Sequence, residues 1–264
     1  VDFMKYIQSG YKGTHDEVII YPIGDIHIGS PHYNPKVVKK HLKEIEQNRE
    51  NARILIMGDL IECATKNSVG AGVYEQTMTP EEQVEAAIEL LEPYKDLIDA
   101  AVLGNHEFRA FKDTGVDLMK SICRGLGIVD RYLGYYGVVN VAWNSRSYHL
   151  AVWHGAGGGS SVSGALNKLK KQKNVVLADV YLMGHFHRRT ADTEVFLVPD
   201  PYNKNMRELV QYFVITGSAL GWDGSYAEMA GLTPQTPGFP KIILGGKYYS
   251  QNGKRFTKKI KVIL

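Results

Sequence analysis

The segment that decides the fold is EVIIYPIGDIH, residues 17–27. Its first seven residues form a short, mostly apolar run with β-branched side chains, which predicts a buried strand. Gly24, Asp25 and His27 follow at once, so a carboxylate and an imidazole stand where the strand ends. In open α/β sheets the carboxyl ends of strands gather at one edge, where ligands bind. We therefore predict a polar site at the carboxyl edge of a sheet.

Four more apolar segments end in the same way. The polar groups that follow them are Gly58-Asp59, Gly104-Asn105-His106-Glu107, His154-Gly155 and Gly184-His185-Phe186-His187. A single buried histidine or Gly-Asp turn is more often structural than catalytic. Five such clusters in succession, each in the same structural context, indicate one shared metal site.

The rest of the chain predicts an α/β layered fold. Helical spacing covers Pro35–Asn48, Thr79–Ile98, Asp113–Leu126 and Ser161–Gln172. The second of these helices opens on a capping box, with Thr79 as N-cap and Glu82 as its partner. Strands and helices alternate early in the chain, which favours parallel pairing. From residue 138 strands dominate, starting with a hairpin of Val138–Trp143 and Tyr148–Trp153, so we expect two packed sheets with helices outside.

Length and composition set the wider limits. The chain has 264 residues, of which 44% are hydrophobic and 22% charged, and we predict a single domain over residues 1–264. Residues 188–264 are expected to complete the second sheet, with an active-site loop around 221–240. No run approaches the ~18 apolar residues of a membrane span, so no membrane partner is expected. Two cysteines, Cys63 and Cys123, favour a reducing, cytoplasmic setting.

The side chains of the five clusters are suited to transition metals. Imidazoles, carboxylates and one carboxamide oxygen, with no thiolate, favour Mn, Fe, Zn or Ni over Ca or an all-sulfur zinc site. The set is larger than one tetrahedral ion needs and fits two divalent ions if a carboxylate bridges them; we expect Mn²⁺. Two metals ~3.5–4 Å apart form a clamp for in-line displacement at phosphorus and turn a shared water into a bridging hydroxide.

The motifs D-x-H, G-D, G-N-H-[DE], H and G-H-x-H resemble the pattern of the calcineurin-like metallophosphoesterases, and residues 24–187 fill every position. The resemblance implies a four-layer αββα sandwich of two mixed sheets flanked by helices. The metal ligands that it implies are Asp25, His27 and His187 on one ion, Asn105, His154 and His185 on the other, and Asp59 as the bridge. It also implies that His106 acts at the leaving group, as a general acid or as a donor to the transition state.

Three features near these motifs are further candidates. Glu62 stands where phosphoprotein phosphatases of this superfamily place an acid that orients the motif histidine, so we hypothesise that it supports His106; a solvated loop glutamate is the alternative. Arg109 could bind a substrate oxygen bidentately, or it could form a surface ion pair. The glycine-rich residues 155–160 are expected to form a flexible wall of the metal pocket, and their amides could hold a substrate phosphate.

The substrate class is less defined than the chemistry. Asp25-Ile26-His27-Ile28-Gly29 resembles the opening motif of SbcD-like repair exonucleases, which favours a nuclease acting on DNA. A small-molecule phosphodiesterase or phosphatase is the alternative, and a catalytically silent scaffold is a third. The segment from Gly58 to Ala64 lacks the Arg and second Gly of phosphoprotein phosphatases, which disfavours that class.

Basic and aromatic residues could serve a nucleic-acid substrate. Arg188 and Arg189 follow the last histidine motif, whereas lysines on the 161–172 helix and beyond are typical of a solvated face. Aromatic side chains in loop-like sequence could stack on bases; these are Tyr33, Tyr202, Trp222, Tyr226 and Phe239.

Overall fold

The computed structural model describes residues 4–66, 68, 73–143, 146–159, 161–250 and 254–264, without the side chains of residues 226, 246–250 and 254–257. The strands in this part of the chain are β1 Lys5–Tyr11, β2 Val18–Ile23, β3 Ala52–Ile56, β4 Ile98–Val102, β5 Tyr132–Gly134, β6 Tyr136–Trp143, β7 Arg146–Trp153, β8 Val180–Met183, β9 Arg189–Asp200, β10 Asn205–Thr216, β11 Lys241–Ser250 and β12 Lys254–Ile263. The helices are α1 Pro35–Gln47, α2 Pro80–Leu91, α3 Asn105–Thr114, α4 Leu118–Gly125, α5 Val162–Lys170 and the short α6 Tyr226–Met229.

The strands form two mixed sheets. The first has the order β12-β11-β2-β3-β4-β5, and the second has the order β1-β6-β7-β8-β10-β9. In the first sheet β2, β3, β4 and β5 are parallel, so the turns that follow these strands meet at one edge. In the second sheet β7, β8 and β10 are parallel in the same way. Each sheet thus brings its motif-bearing strand ends together, as predicted.

Three apolar clusters separate four layers. One cluster packs the outer face of the first sheet against α1, α2 and α4 and contains Ile54, Leu42 and Ile122. A second cluster lies between the two sheets and contains Leu55 and Val214, and a third packs α5 onto the second sheet. The predicted αββα sandwich of two mixed sheets is therefore confirmed.

The structure corrects two expectations. Residues 188–264 do not only complete the second sheet, because β11 pairs antiparallel with β2 and so joins the first sheet together with β12. The helix expected over Asp113–Leu126 is divided between the end of α3 and α4. The first helix ends at Thr114, and its C-cap Gly115 has a φ of 75°, which suits glycine. Asp117 then caps α4 by accepting the backbone N–H of Lys120 at 2.9 Å.

Other local expectations are confirmed. Thr79 and Glu82 form the capping box of α2: the Thr79 N–H donates to Glu82 Oε2 at 2.7 Å. The helix expected over Thr79–Ile98 is shorter than predicted, because it stops at Leu91, ahead of Pro93, and a 3₁₀ segment Glu92–Leu97 leads from there into β4. Among the described residues, no helix has the length and apolar character needed to span a membrane.

His41 is a buried histidine on α1 away from the site motifs. It is 8% exposed and packs between the rings of Tyr21 and Phe239, with centroid distances of 5.3 and 5.0 Å. Its Nε2 has no hydrogen-bond partner among the described residues. The fold therefore accepts His41 only in its neutral form, since a buried cation without a partner is costly.

The stability of the fold should depend on pH through His41. Burial lowers its pKa from 6.5 to about 4, with Lys241 and Arg189 adding to the effect and Glu44 opposing it. The unfolded chain therefore binds the proton first, and stability is lost as the pH falls below 6.5. Between pH 7 and pH 5 this residue should cost about 2 kcal/mol of unfolding free energy. We expect His41→Leu to lose less stability than wild type over that range in urea melts; equal losses would contradict this account.

Candidate metal centre

The motif residues lie in tight turns at the carboxyl ends of their strands. Asp25, His27, Asp59, His185 and His187 all have positive φ angles, between 49° and 68°. Non-glycine residues rarely adopt this conformation, and such strain is concentrated at functional sites. This backbone conformation directs the five side chains, which come from both sheets, toward one point.

Asp25, His27 and His187 form a first group of candidate ligands. Their ligand atoms all lie within 4.8 Å of one another. The two Nε2 atoms of His27 and His187 are 3.1 Å apart, and Asp25 Oδ1 lies 3.2 Å from His187 Nε2. Ligand atoms about 2.1 Å from one ion would have separations of this size.

A second group forms around Asp59 and Asn105. Asn105 Oδ1 lies 3.0 Å from His154 Nε2 and 2.7 Å from His185 Nδ1. Asp59 Oδ2 lies 3.2 Å from His154 Nε2. The Asp59 carboxylate also lies within 4.8 Å of ligand atoms of His27 and His106, on the side of the first group. The structure thus brings all seven predicted ligands together, with Asp59 between the two groups.

Three of the four candidate histidine ligands have an outward-facing ring nitrogen in a hydrogen bond. His27 Nδ1–H donates to Glu62 Oε2 at 3.0 Å, His154 Nδ1–H to the Met57 carbonyl at 2.7 Å, and His185 Nε2–H to the Gly157 carbonyl at 2.7 Å. Each bond fixes the orientation of its ring, so the other ring nitrogen lies toward the centre, where a bound ion would take the place of its proton. Metal-binding histidines are oriented in this way, so the residues present fit divalent ions.

The charge of the centre also favours cations. Asp25 and Asp59 are fully buried. Burial alone raises a carboxyl pKa, but the neighbouring histidines hold the pKa values of both Asp25 and Asp59 below the ordinary value. Burial works against a charged His154, yet the field of Asp59 and Asp25 raises its pKa to about 10. Two buried carboxylates therefore create a negative field at the point where the inward nitrogens meet.

Glu107 supports the centre from behind, a role that the sequence analysis missed. Its buried carboxylate accepts the backbone N–H groups of Leu60 at 2.7 Å, Asp59 at 3.1 Å and Gly104 at 3.2 Å. This ties the turn after β3 to the start of α3. The spacing from Gly104 to Glu107 is that of a capping box, which is the signal that could have identified it.

Two glycines permit the close packing. A Cβ on Gly104 would lie 2.1 Å from Asp59 Oδ1, and a Cβ on Gly184 would lie 2.6 Å from Asp25 Oδ2. Any side chain at either position would therefore displace a candidate ligand.

Glu62 and His106 are in contact, but the shorter contact is made by the backbone carbonyl of Glu62 and not by its carboxylate. His106 Nδ1–H donates to the backbone carbonyl of Glu62 at 2.6 Å, while the Glu62 carboxylate lies 3.4 Å away. That carboxylate instead accepts the shorter bond from His27 described above. Burial lowers the pKa of His106 to about 4, so its ring is neutral and its Nε2 lies 3.7 Å from Asp59 Oδ2.

Arg109 lies behind His106. Its Nη1 is 3.1 Å from His106 Nδ1 and 3.9 Å from Glu62 Oε1. Arg109 is not among the described residues that line the cavity over the centre. Arg109 instead contacts His106 and Glu62, which lie beside the centre.

A cavity of about 580 Å³ opens over the centre. Its floor includes His27, His106, His185 and His187, and Gly157–Gly159 form part of one wall, as expected for this loop. Ser160, the last residue of the predicted loop, lies outside the described residues. Much of the remaining wall comes from residues 218–237, so the predicted loop around 221–240 does lie at the site.

The basic and aromatic candidates divide into two sets. Arg188 and Trp222 line the cavity. Lys170 and Lys173 instead pair with acids on β9, Phe239 is buried in the core, and Tyr202 is 94% exposed in the β9–β10 connection. The side chain of Tyr226 lies outside the described part of the chain.

The sandwich fold and its histidine-rich edge define the class of protein as a metallophosphoesterase. The model of the calcineurin-like phosphoesterases matches residues 20–189, which is more than half of the chain. The chain therefore belongs to the calcineurin-like phosphoesterase family.

Several solved structures are similar in fold. A predicted phosphoesterase from Streptococcus pneumoniae is 14% identical, with a TM-score of 0.42 and coverage of 94% of this chain and 99% of that chain. A metallophosphoesterase from Sphaerobacter thermophilus is 12% identical, with a TM-score of 0.42 and coverages of 94% and 90%. Vps29 from Chaetomium thermophilum is 15% identical, with a TM-score of 0.40 and coverages of 93% and 95%. A comparison with curated proteins gives no match.

Removing the Glu62 carboxylate should weaken metal binding. In Glu62→Gln the charged acceptor of the His27 Nδ1–H is lost, and such partners typically contribute about 10–100-fold in metal affinity. We expect a Mn²⁺ titration of metal-stripped protein by calorimetry to show a loss of this size. Glu81→Gln, a change on the exposed first turn of α2, is the control and should bind as wild type does. Unchanged Mn²⁺ affinity in Glu62→Gln would contradict the role, and unchanged turnover would also remove Glu62 as a support of His106.

Proposed function

We propose that this chain is a binuclear-metal phosphodiesterase that cleaves nucleic acid, with DNA as its substrate. The observation that carries the proposal is the presence of two candidate ligand groups that share one buried carboxylate, Asp59. A two-ion centre is the arrangement suited to displacement at a phosphodiester. The intact ligand set argues against a catalytically silent scaffold.

The ligand assignment follows the two groups. We propose that Asp25, His27 and His187 hold one ion, that Asn105, His154 and His185 hold the other, and that Asp59 bridges them. Mn²⁺ is the proposed metal, and Fe, Zn or Ni suit the same donors. When bound, two such ions supply Lewis-acid activation of water and neutralise charge on the phosphoryl oxygens.

The remaining steps belong to the side chains. His106 is fixed by its bond to the Glu62 carbonyl, so its Nε2 is the atom available to the cavity. A phosphate anion bound beside it favours the protonated imidazole, which can donate a proton to the leaving oxygen. Glu62 positions His27, and Arg109, whose Nη1 lies 3.9 Å from Glu62 Oε1, positions Glu62. In this arrangement Arg109 acts through its neighbours rather than through the bidentate substrate contact considered from the sequence.

Two observations bear on the substrate. The Asp25–Gly29 motif resembles that of repair exonucleases, and Arg188 lines the cavity, where its charge suits a polyanion. The cavity volume of about 580 Å³ lies in the range of small-ligand pockets. A pocket of this size admits a strand end or a single strand more readily than a continuous duplex. The same volume supports the second candidate, a small phosphodiester.

The nuclease proposal is tested with end-labelled single- and double-stranded DNA. We expect Mn²⁺-dependent cleavage by wild type and background cleavage by Asp59→Asn, which removes the shared negative charge. Asp130→Asn, on an exposed residue, should cleave as wild type does. The product ladder separates endonuclease from exonuclease action.

Salt and metal content separate the alternatives. Cleavage of DNA should fall steeply with ionic strength because counterions are released on binding, whereas hydrolysis of a small diester should respond weakly. If folded, Mn²⁺-loaded protein cleaves no DNA but hydrolyses bis(p-nitrophenyl) phosphate, the small-diester candidate replaces the nuclease. A protein that purifies without stoichiometric metal and hydrolyses neither substrate would be a scaffold.

His106→Asn should separate chemistry from metal binding. Loss of a general acid typically costs about 10²–10⁴-fold in rate, and we expect a loss in kcat of this order on DNA with Mn²⁺ affinity retained. The loss should be smaller on bis(p-nitrophenyl) phosphate, whose leaving group needs no proton. Equal losses on both substrates would show that His106 does not protonate the leaving group. His149→Asn, a change away from the cavity, is the control.

A further inference from the structure

The loop of residues 217–238 forms a fixed wall beside the centre. The backbone N–H of Ala219 donates to the Asp25 carbonyl at 3.0 Å, and that of Gly221 donates to the His32 carbonyl at 2.9 Å. At its far end, the Gly238 N–H donates to the Ser218 carbonyl at 2.8 Å. The loop is therefore tied to the same segment that carries the first candidate ligands.

Within this loop the ring of Trp222 is held in place. Its indole Nε1–H donates to the Leu232 carbonyl at 2.9 Å, and the Ser225 hydroxyl donates to the Trp222 carbonyl at 2.5 Å. Tryptophan has a single side-chain donor, and here that donor is used inside the loop. What Trp222 can offer to the cavity it lines is the π-surface of its ring.

The second aromatic wall residue, Phe186, is already covered. Lys168 Nζ lies 5.3 Å from its ring centroid and is itself held by the Ala156 carbonyl at 2.6 Å. The His185 ring packs against Phe186 in an edge-on arrangement, with centroids 5.1 Å apart. Trp222 is therefore the better placed of the two rings to accept a flat ligand group.

We propose that Trp222 stacks on the nucleobase next to the scissile phosphate and thereby selects nucleotidyl diesters over diesters without a base. The proposal rests on the proposed function, which places the phosphate beside His106, next to the candidate ligands His27 and His187. Those residues and Trp222 line one cavity of about 580 Å³, so the group attached to the phosphate can lie against the indole. Because the indole N–H is engaged, recognition is by stacking and tolerates every base.

The test compares thymidylyl-thymidine with two analogues in which one thymine is replaced by an abasic tetrahydrofuran. Wild type with Mn²⁺ should show a kcat/KM about tenfold lower for one of the analogues, since stacking of one base contributes about this much. In Trp222→Ala the ratio of kcat/KM between thymidylyl-thymidine and that analogue should approach one. Trp222→Phe should retain most of the wild-type ratio. Tyr202→Ala, in the exposed β9–β10 connection, should keep both the ratio and the rate.

A binding measurement makes the test independent of turnover. With Zn²⁺ in place of Mn²⁺, thymidine 5′-monophosphate should quench the tryptophan fluorescence of wild type. The quenching should be lost in Trp222→Phe and retained in Trp143→Phe, whose ring lies in the core between the sheets.

The outcomes separate this inference from the proposed function. Cleavage without a base preference, or with a preference that survives Trp222→Ala, overturns the inference and leaves the phosphodiesterase intact. Quenching that depends on Trp222, without any cleavage, supports the inference and overturns the proposed function. If neither cleavage nor quenching is observed, both the inference and the proposed function are overturned.

Discussion

The carboxylate of Glu107 holds together the two strand ends on which the rest of the centre depends. It accepts backbone N–H groups from Leu60 and Gly104, which follow β3 and β4. Asp59 Oδ1 then accepts the His106 N–H at 2.8 Å, so the bridging candidate and the start of α3 are locked to each other. A buried amide or carboxylate left without partners costs about 1–3 kcal/mol or more. These groups are satisfied together only when both turns adopt the observed conformation.

The same constraint explains why the centre is suited to cations. The turns need positive φ at Asp25, His27 and Asp59, and they bury two carboxylates. Both features oppose folding, and the three apolar clusters of the sandwich must offset them. Because the imidazoles donate outward to Glu62, Met57 and Gly157, their other nitrogens are left to the centre, where a divalent ion would take the place of a proton. A divalent ion relieves a penalty that the fold itself creates.

Most of the cavity wall comes from segments that carry no candidate ligand. The glycine-rich wall follows β7, whereas the loop that carries Trp222 follows β10, so both extend from the carboxyl edge of the second sheet. The first sheet supplies Asp25, Asp59 and Asn105, and the second supplies His154, His185 and His187. The candidate ligands therefore come from both sheets, while the shape of the cavity depends mostly on the second.

The sequence by itself determined the motif-bearing strands, the family and which side chains meet, because each motif is a contiguous apolar run followed by polar residues. The strand after Asp16 and the capping box at Thr79 are local patterns of this kind. Only the tertiary structure decided that β11 joins the first sheet, that Glu107 ties two turns together, and that the Glu62 carboxylate contacts His27. It also decided that Trp222 faces the cavity. These outcomes rest on contacts between distant segments: Glu107 and Leu60 are 47 residues apart in the chain. Local periodicity has no information about such contacts, because packing and hydrogen-bond satisfaction are settled when the layers meet.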